Sequence, residues 1–275
     1  MDAAFTPLHR GGSGEPLLLL HGFTDTWRTW ELVLPALERR HDVLALTLAG
    51  HAGGPPIADG CDPEAAIRDA IAAALDQVGW ETAHVVGNSL GGYVALQVAA
   101  LGRARSVVAL APAGGWADGD GSFRDVLGYF TTMRQLLQQA APHAEAIVAT
   151  PEGRRRATLM TAERFEHIPA ELLAHQIRGA VGCDAAPMLI AHAVAHGWHV
   201  DAEAVACPLR FVWGTEDKVL RWPGAAARYR AQFPQAEWVE LNGVGHLPQL
   251  DVPLETAELI LGLTRRAAAS PARAG

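Results

Sequence analysis

Short, mostly apolar runs alternate along the first 111 residues with segments whose apolar residues recur at helical spacing. The runs are Leu17–Leu20, Val43–Leu46, His84–Val86 and Ser106–Ala111. Such runs are typical of strands covered on both faces, as in a parallel sheet. Helices are predicted near Trp30–Arg39 and, after an Asp62-Pro63 start, over Ala65–Val78. This alternation predicts a parallel sheet with helices on both faces.

The middle of the chain, after Pro112, has helical spacing and no convincing buried strand. Helices are predicted there near residues 123–140, 142–149, 152–161, 169–180 and 186–196. Strands then return at 209–213 and 236–241, with helices at 224–233 and 254–266. The pattern therefore predicts an α/β core in two parts, interrupted by a helical insertion and followed by a disordered tail. The four parts are residues 1–115, 116–204, 205–267 and 268–275.

Length and composition limit the classes of protein. The chain has 275 residues, of which 49% are hydrophobic, enough for one large α/β domain with an insertion. The net charge of −8 and the lack of a basic patch argue against nucleic-acid binding. No apolar run approaches the ~18 residues of a membrane span, and the N-terminus does not resemble a signal peptide. Cys61, Cys183 and Cys207 are widely spaced, which fits a reducing, cytoplasmic compartment.

The motif Gly-Asn-Ser-Leu-Gly-Gly at residues 87–92 lies between a predicted strand and an Ala-rich predicted helix. In this context Gly-x-Ser-x-Gly is typical of a nucleophile elbow, a tight turn that presents a serine at the top of a sheet. Gly87 and Gly91 are needed where a Cβ atom would clash with neighbouring backbone. Ser89 then points out of the turn near the positive end of the following helix. We predict that Ser89 is a nucleophile.

A serine hydroxyl needs a base, and the base needs a third group to orient it. The strand ending at Trp213 leads into Gly-Thr-Glu-Asp, where Asp217 is the candidate acid and Glu216 its rival. The next strand leads into Gly-Val-Gly-His, where His246 is the candidate base. The chain order Ser89, Asp217, His246 is the order of the α/β-hydrolase triad.

An acyl-transfer site also needs two backbone N–H groups aimed at the carbonyl oxygen on which charge develops. Leu90, directly after the serine, is predicted to supply one of these groups. Phe23, in the His-Gly-Phe segment after the first buried strand, is predicted to supply the other. His21 is interpreted as shaping this loop.

Taken together, these motifs resemble the α/β-hydrolase superfamily with a lid, over nearly all of residues 15–265. The resemblance implies an eight-stranded, mostly parallel sheet with helices on both faces and a helical cap inserted after strand six. Two departures are visible. Thr47-Leu48-Ala49-Gly50-His51-Ala52 replaces the common Asp-x-Pro-Gly-x-Gly, and the N-terminal hairpin is short.

Other side chains suggest a substrate pocket. Asn88, Trp116 and Phe130 are assigned to substrate binding, although the two aromatics fit the cap's own small core equally well. His192, His196 and His199 share one face if their helix persists past Gly197. Without His-Glu-x-x-His, they are interpreted as cap surface or pocket lining, and no metal is expected.

The sequence therefore predicts a cofactor-independent, carboxylesterase-type hydrolase that acts on a small-molecule ester or related acyl compound through an acyl-enzyme. Three alternatives stay open. One is a C–C bond hydrolase of ring-cleavage products, although Phe23-Thr24-Asp25-Thr26 replaces its usual Ser-Gly-Pro-Gly-like loop. Another is a metal-free perhydrolase or haloperoxidase on the same triad. The third, of a different class, is a ligand receptor with slow hydrolysis. The oligomeric state stays open as well.

Overall fold

A seven-stranded sheet runs through residues 5–269, the part of the chain that the computed structural model describes. The strands are β1 (Leu8–Gly12), β2 (Glu15–Leu20), β3 (His41–Leu46), β4 (Ala83–Asn88), β5 (Ala104–Leu110), β6 (Leu209–Gly214) and β7 (Glu237–Leu241). Their order is β1-β3-β2-β4-β5-β6-β7, and every pair is parallel except β1 with β3. The predicted mostly parallel sheet is thus confirmed.

The predicted count of eight strands is wrong for the described residues. A single strand, β1, precedes β2, and all of it pairs with β3, from Leu8 opposite Leu46 to Gly12 opposite Asp42. The Arg10 guanidinium lies 2.7 Å from the Asp42 carboxylate across this pair. Charged residues on an edge strand discourage further pairing, so β1 closes the sheet. The helical segment consequently follows the fifth strand, not the sixth.

Eleven α-helices are present in residues 5–269. They are α1 (Leu34–Leu37), α2 (Pro63–Gln77), α3 (Leu90–Ala100), α4 (Phe123–Ala140), α5 (Ala144–Val148), α6 (Pro151–Thr158), α7 (Ala170–Val181), α8 (Ala186–His196), α9 (Ala227–Gln232), α10 (Pro248–Asp251) and α11 (Pro253–Ala269). The helix predicted near residues 30–39 is instead a 3₁₀ turn at Trp27–Trp30 followed by the short α1. Pro35, the second residue of α1, lacks an N–H, so a helix cannot run continuously through it from Trp30.

The sheet separates two apolar cores. Successive residues of a strand point to opposite faces. Leu17 and Leu19 therefore pack with α1 and α11, and Leu18 and Leu20 pack with α2 and α3. All four leucines are completely buried, as the continuous apolar run predicts.

The segment between β5 and β6 contains helices α4 to α8 and has a third apolar core. Leu172, Leu173 and Ile177 of α7 belong to this core. Leu247 and Leu250, from the loop and short helix after β7, belong to it too. The helical segment is therefore fixed against the same end of the sheet that carries the candidate histidine.

The last helix extends beyond its expected end. Disorder was predicted from residue 268, but α11 continues to Ala269, and the rest of that tail lies outside the described residues. Over residues 5–269, the structure contains no helix with the length and apolar character that a membrane crossing requires.

Candidate active site

Ser89 lies in the turn between β4 and α3 with φ 54° and ψ −115°. Positive φ is uncommon outside glycine and costs roughly 1–3 kcal/mol unless the surroundings enforce it. Three hydrogen bonds enforce it here. The Ser89 N–H donates to the Leu110 carbonyl at 2.9 Å, and the Ser89 carbonyl accepts from the N–H groups of Tyr93 at 3.1 Å and Ala113 at 3.0 Å. The geometry is that of a nucleophile elbow.

Two glycines make this turn possible. A Cβ atom on Gly87 would lie 2.0 Å from the Gly91 carbonyl oxygen. One on Gly91 would lie 2.2 Å from the Leu20 carbonyl oxygen, at the end of β2. The elbow is therefore packed backbone to backbone against its own strand and against its neighbour.

Asp217 and His246, after β6 and β7, form a buried pair. The His246 Nδ1 atom lies 2.7 Å from Asp217 Oδ2. Asp217 Oδ1 accepts hydrogen bonds from the backbone N–H groups of Val219 at 2.9 Å and Leu220 at 2.7 Å. Both carboxylate oxygens thus have partners, and because a carboxylate only accepts, the proton belongs on Nδ1, which leaves Nε2 able to accept one. Glu216, the rival acid, is exposed, and the His246 Nδ1 atom is bonded to Asp217 instead.

Ser89 and His246 line one cavity of about 350 Å³, together with Gly22, Phe23 and Asn88. The structure therefore brings the predicted nucleophile, base and acid to the same rim of the sheet. In this arrangement a serine hydroxyl faces a cavity whose wall also carries an oriented, buried imidazole.

The loop after β2 lies directly against the elbow. A Cβ atom on Gly22 would be 3.3 Å from Ser89 Cβ. Leu90 is the first residue of α3, so its N–H has no acceptor within that helix. The Phe23 N–H likewise donates to no backbone carbonyl within residues 5–269. Both N–H groups predicted for the oxyanion are thus without a backbone partner among the described residues. Leu90 directly follows Ser89, and Gly22, the neighbour of Phe23, lies against it.

His21 fixes this loop. Its Nδ1 atom lies 2.7 Å from the Gly22 carbonyl oxygen, and its Nε2 atom accepts from the Leu48 N–H at 2.9 Å. Burial, reinforced by the neighbouring His51, lowers the pKa of His21 well below its ordinary value. The ring is therefore neutral, with each nitrogen joined to backbone.

Asn88, predicted to contact substrate, also has a structural role. Its Nδ2 atom donates to the carbonyls of Leu110 at 3.2 Å and His246 at 3.1 Å. The side chain is completely buried. Because both donors are used on backbone, Asn88 connects the His246 loop to β5. Its Oδ1 atom has no hydrogen-bond partner among the described residues, and the residue lines the cavity at Ser89, so its substrate role stays a prediction.

A second, smaller cavity of about 60 Å³ meets the first at Ser89. Trp116 and Phe130, both predicted to bind substrate, line it, and Phe130 borders both cavities. The ring of Phe130 stands edge-on to that of Phe23, with centroids 5.0 Å apart. The smaller cavity is walled largely by apolar side chains, whereas the larger one also carries polar groups: Asp25, Arg134, Arg156 and Gln176.

These four polar residues are absent from the sequence prediction. Asp25 gave the best signal, a carboxylate two residues after Phe23 in a loop already assigned to the site. Arg134, Arg156 and Gln176 lie on helices α4, α6 and α7, where polar residues are common and nothing local marks those that face inward.

Of the three histidines near the end of α8, His192 lines the smaller cavity that Ser89 also lines. His192 is placed between two carboxylates, with its Nδ1 atom 3.7 Å from Asp62 and its Nε2 atom 3.5 Å from Glu64. His192, His196 and His199 together line a separate groove on the outside of the molecule. Across residues 5–269, no three His, Cys, Asp or Glu side chains are grouped in a way that would hold a metal ion.

Comparison with known proteins supports the fold. A family model described as alpha/beta hydrolase fold matches residues 15–253. Epoxide hydrolase EphH of Mycobacterium tuberculosis is 32% identical over 197 residues, covering 71% of this chain and 92% of that protein. A 2-hydroxymuconate semialdehyde hydrolase of a Pseudomonas species is 34% identical over 140 residues, 48% of this chain and 50% of that one. A meta-cleavage product hydrolase structure from Pseudomonas fluorescens superposes with a TM-score of 0.72 at 20% identity, covering 94% of each chain.

Proposed function

The chain belongs to the α/β-hydrolase fold family, and from that premise we propose that it is a serine hydrolase that cleaves a carboxylic ester through an acyl-enzyme. The observation that carries the proposal is the 2.7 Å contact between His246 Nδ1 and Asp217 beside a strained Ser89 in the elbow. Residues 116–204, with helices α4 to α8, are proposed as the cap over this site.

The reaction follows from the positions of the groups. His246 Nε2 takes the proton of the Ser89 hydroxyl as Oγ bonds to the ester carbonyl carbon. The N–H groups of Phe23 and Leu90 stabilise the oxyanion. The C–O bond to the alcohol then breaks, and His246 returns the proton to the departing oxygen. In the second half, His246 deprotonates a water that attacks the acyl-enzyme, which releases the acid and restores Ser89. Asp217 stabilises the imidazolium in both halves.

The two parts of the ester are assigned to the two cavities. His246 lines the larger cavity and must protonate the leaving alcohol, so the alcohol part belongs there. Leu90 lines the smaller, apolar cavity, which takes the acyl part. The smaller cavity, at about 60 Å³, has far less free space than the larger one, at about 350 Å³. We therefore propose a short apolar acyl chain and a larger, partly polar alcohol.

C–C bond hydrolysis is a second candidate, favoured by the similarity to a 2-hydroxymuconate semialdehyde hydrolase. The same Ser89 attack would then fall on a ketone carbonyl. Epoxide hydrolysis, named for the Mycobacterium tuberculosis relative, fits the elbow less well. Ring opening by the Ser89 hydroxyl would leave an ether, which has no carbonyl for a water to attack.

The test is a substrate panel measured on the wild type, on Ser89→Ala and on Ser122→Ala as a control. The panel contains esters of increasing acyl length and of increasing alcohol size, a ring-cleavage product and a small epoxide. Ser122 is exposed at the start of α4 and makes no side-chain contact with the site. We expect the highest kcat/KM for short acyl esters, lost in Ser89→Ala and retained in Ser122→Ala.

Other outcomes would redirect the proposal. Faster turnover of the ring-cleavage product than of every ester would transfer the function to C–C hydrolysis. Turnover of the epoxide that survives in Ser89→Ala would contradict the serine mechanism. A folded wild type with no turnover of the panel would contradict the hydrolase proposal and favour a ligand receptor.

A further inference from the structure

The loop that carries the Phe23 N–H has a strained backbone, so other contacts must hold it in this conformation. Here this segment, residues 22–26, is named the oxyanion loop. Thr24, at its centre, has φ 65°, a left-handed value that is a genuine outlier for a β-branched residue. The Asp25 N–H reaches the Gly22 carbonyl at 3.3 Å, a long hydrogen bond. Strained conformations persist only when surrounding contacts over-determine them.

Two consecutive residues of the oxyanion loop are bonded to two consecutive residues of α7. Asp25 Oδ2 accepts from Gln176 Nε2 at 2.9 Å, while Asp25 Oδ1 accepts from its own neighbour, the Thr26 N–H, at 2.8 Å. The Thr26 hydroxyl lies 3.0 Å from His175 Nε2. These contacts join residues about 150 positions apart in the chain. They fix the position of α7 relative to the oxyanion loop.

The helix approaches the loop through one face. His175 and Gln176 lie four and three positions before Gly179, spacings that share a helix face. A Cβ atom on Gly179 would be 3.4 Å from Thr26 Cγ2, so this face of α7 lies against the loop. The apolar side of α7, with Leu173 and Ile177, shares its core with Leu247, directly after His246. One helix thus contacts both the oxyanion loop and the histidine loop.

The protonation states suit this contact. Burial raises the pKa of Asp25 to about 6, against hydrogen bonds from Thr26 and Gln176 that favour the carboxylate. Burial also lowers the pKa of His175 to about 4. Near neutral pH, Asp25 is therefore ionised and accepts a hydrogen bond from the Gln176 amide. The His175 imidazole, which contacts Thr26, is neutral. Removal of the Gln176 donor would leave the buried Asp25 carboxylate without one of its hydrogen bonds, which costs free energy.

We propose that α7 holds the oxyanion loop in its working shape through the Asp25–Gln176 and Thr26–His175 contacts, which makes Gln176 a positioning residue for the Phe23 N–H. The inference rests on the proposed acyl-transfer function. Gln176 acts through Asp25 and the loop, and the Phe23 N–H is the group that stabilises the transition state. The position of the helical segment thereby controls the oxyanion hole as well as the size of the pocket.

The first test is kinetic. Loss of one oxyanion donor typically costs about 10²–10³ in rate, and a 1 Å misplacement costs about 10². We expect Gln176→Leu to lower kcat for the best ester about 10- to 100-fold, with KM changed less than about threefold. Gln139→Leu, on the exposed surface of α4, is the matched control and should leave both constants unchanged.

A reciprocal exchange separates positioning from general damage. In Asp25→Asn/Gln176→Glu the amide and carboxylate trade places, so the hydrogen bond is restored with its direction reversed. We expect the double variant to recover at least tenfold in kcat over the less active of its two single variants. An additive double variant, no better than the product of the single effects, would contradict a direct coupling.

Hydrogen exchange of the peptide that contains residues 22–26 tests the contact without any turnover. Gln176→Leu should exchange faster there than the wild type and Gln139→Leu. An unchanged exchange rate together with unchanged kcat would overturn the inference while ester hydrolysis by the wild type stood. An inactive wild type in which Gln176→Leu still accelerates exchange would overturn the proposed function and leave the α7 contact in place.

Discussion

The sheet and the helical segment between β5 and β6 bury their residues in different ways. Every residue of β4 and β6 is buried, and the sheet side of the site depends on backbone approaches such as that of Gly87 to Gly91. In α4, by contrast, Leu127 is the single buried residue among eighteen, and Leu136 on the same helix is 55% exposed. On the sheet side, an added side-chain atom would clash with neighbouring backbone. On the helical side, most of α4 is at least partly exposed to solvent. We therefore expect the sheet to determine the chemistry and the helical segment to determine the substrate.

The largest effect is expected at the acid. Asp217→Asn removes the charge that fixes the His246 tautomer, and we expect kcat to fall about 10⁴-fold, as in related triads. The assay is kcat on the best ester. Glu216→Gln, one residue away and exposed, should retain nearly full activity; an equal loss in both variants would mean that the assignment of Asp217 is wrong.

A pair of glycine substitutions distinguishes the two regions by the sign of a stability change. Gly87→Ala places a Cβ atom 2.0 Å from backbone, and we expect it to lower the free energy of unfolding by about 1–3 kcal/mol or more. Gly128→Ala, inside α4 with no atom within 4 Å of the added Cβ, should raise it by about 0.4–1 kcal/mol. Urea titration measures both. Changes of the same sign would remove the contrast between the regions.

The smallest effect is expected on specificity. Phe130 on α4 separates the two cavities at Ser89, so Phe130→Ala should join them and favour longer acyl chains. We expect the kcat/KM ratio of a long to a short acyl ester to rise about tenfold, the value of roughly one methylene in an apolar pocket. Leu136→Ala, exposed on the same helix, is the control. An unchanged ratio in Phe130→Ala would place the acyl chain elsewhere.

The same contrast explains what could be predicted from the sequence. The strand of Leu17–Leu20 and the elbow at Ser89 leave local patterns, because burial on both faces requires a continuous apolar run and a tight turn requires glycines. The general fold is accordingly confirmed. The eighth strand came from the family resemblance and is wrong for the described residues, where β1 closes the edge.

Features that depend on distant pairs could not be predicted. The Asp25–Gln176 contact joins residues 151 positions apart, and the amide of Asn88 is used on a loop 158 residues away. Neither contact produces a characteristic residue spacing or motif in the sequence. The division into core and cap, and the catalytic role of each site residue, stay predictions.

The central claim is that Ser89 is an activated nucleophile, and the most direct measurement is the site of a fluorophosphonate adduct. Trypsin should release residues 69–103, in which Ser89 is the only serine. We predict a single adduct on this peptide, fragmenting to Ser89, in the wild type and in Ser122→Ala, and none in Ser89→Ala. An adduct on another peptide, or no adduct in the folded wild type, would contradict the account.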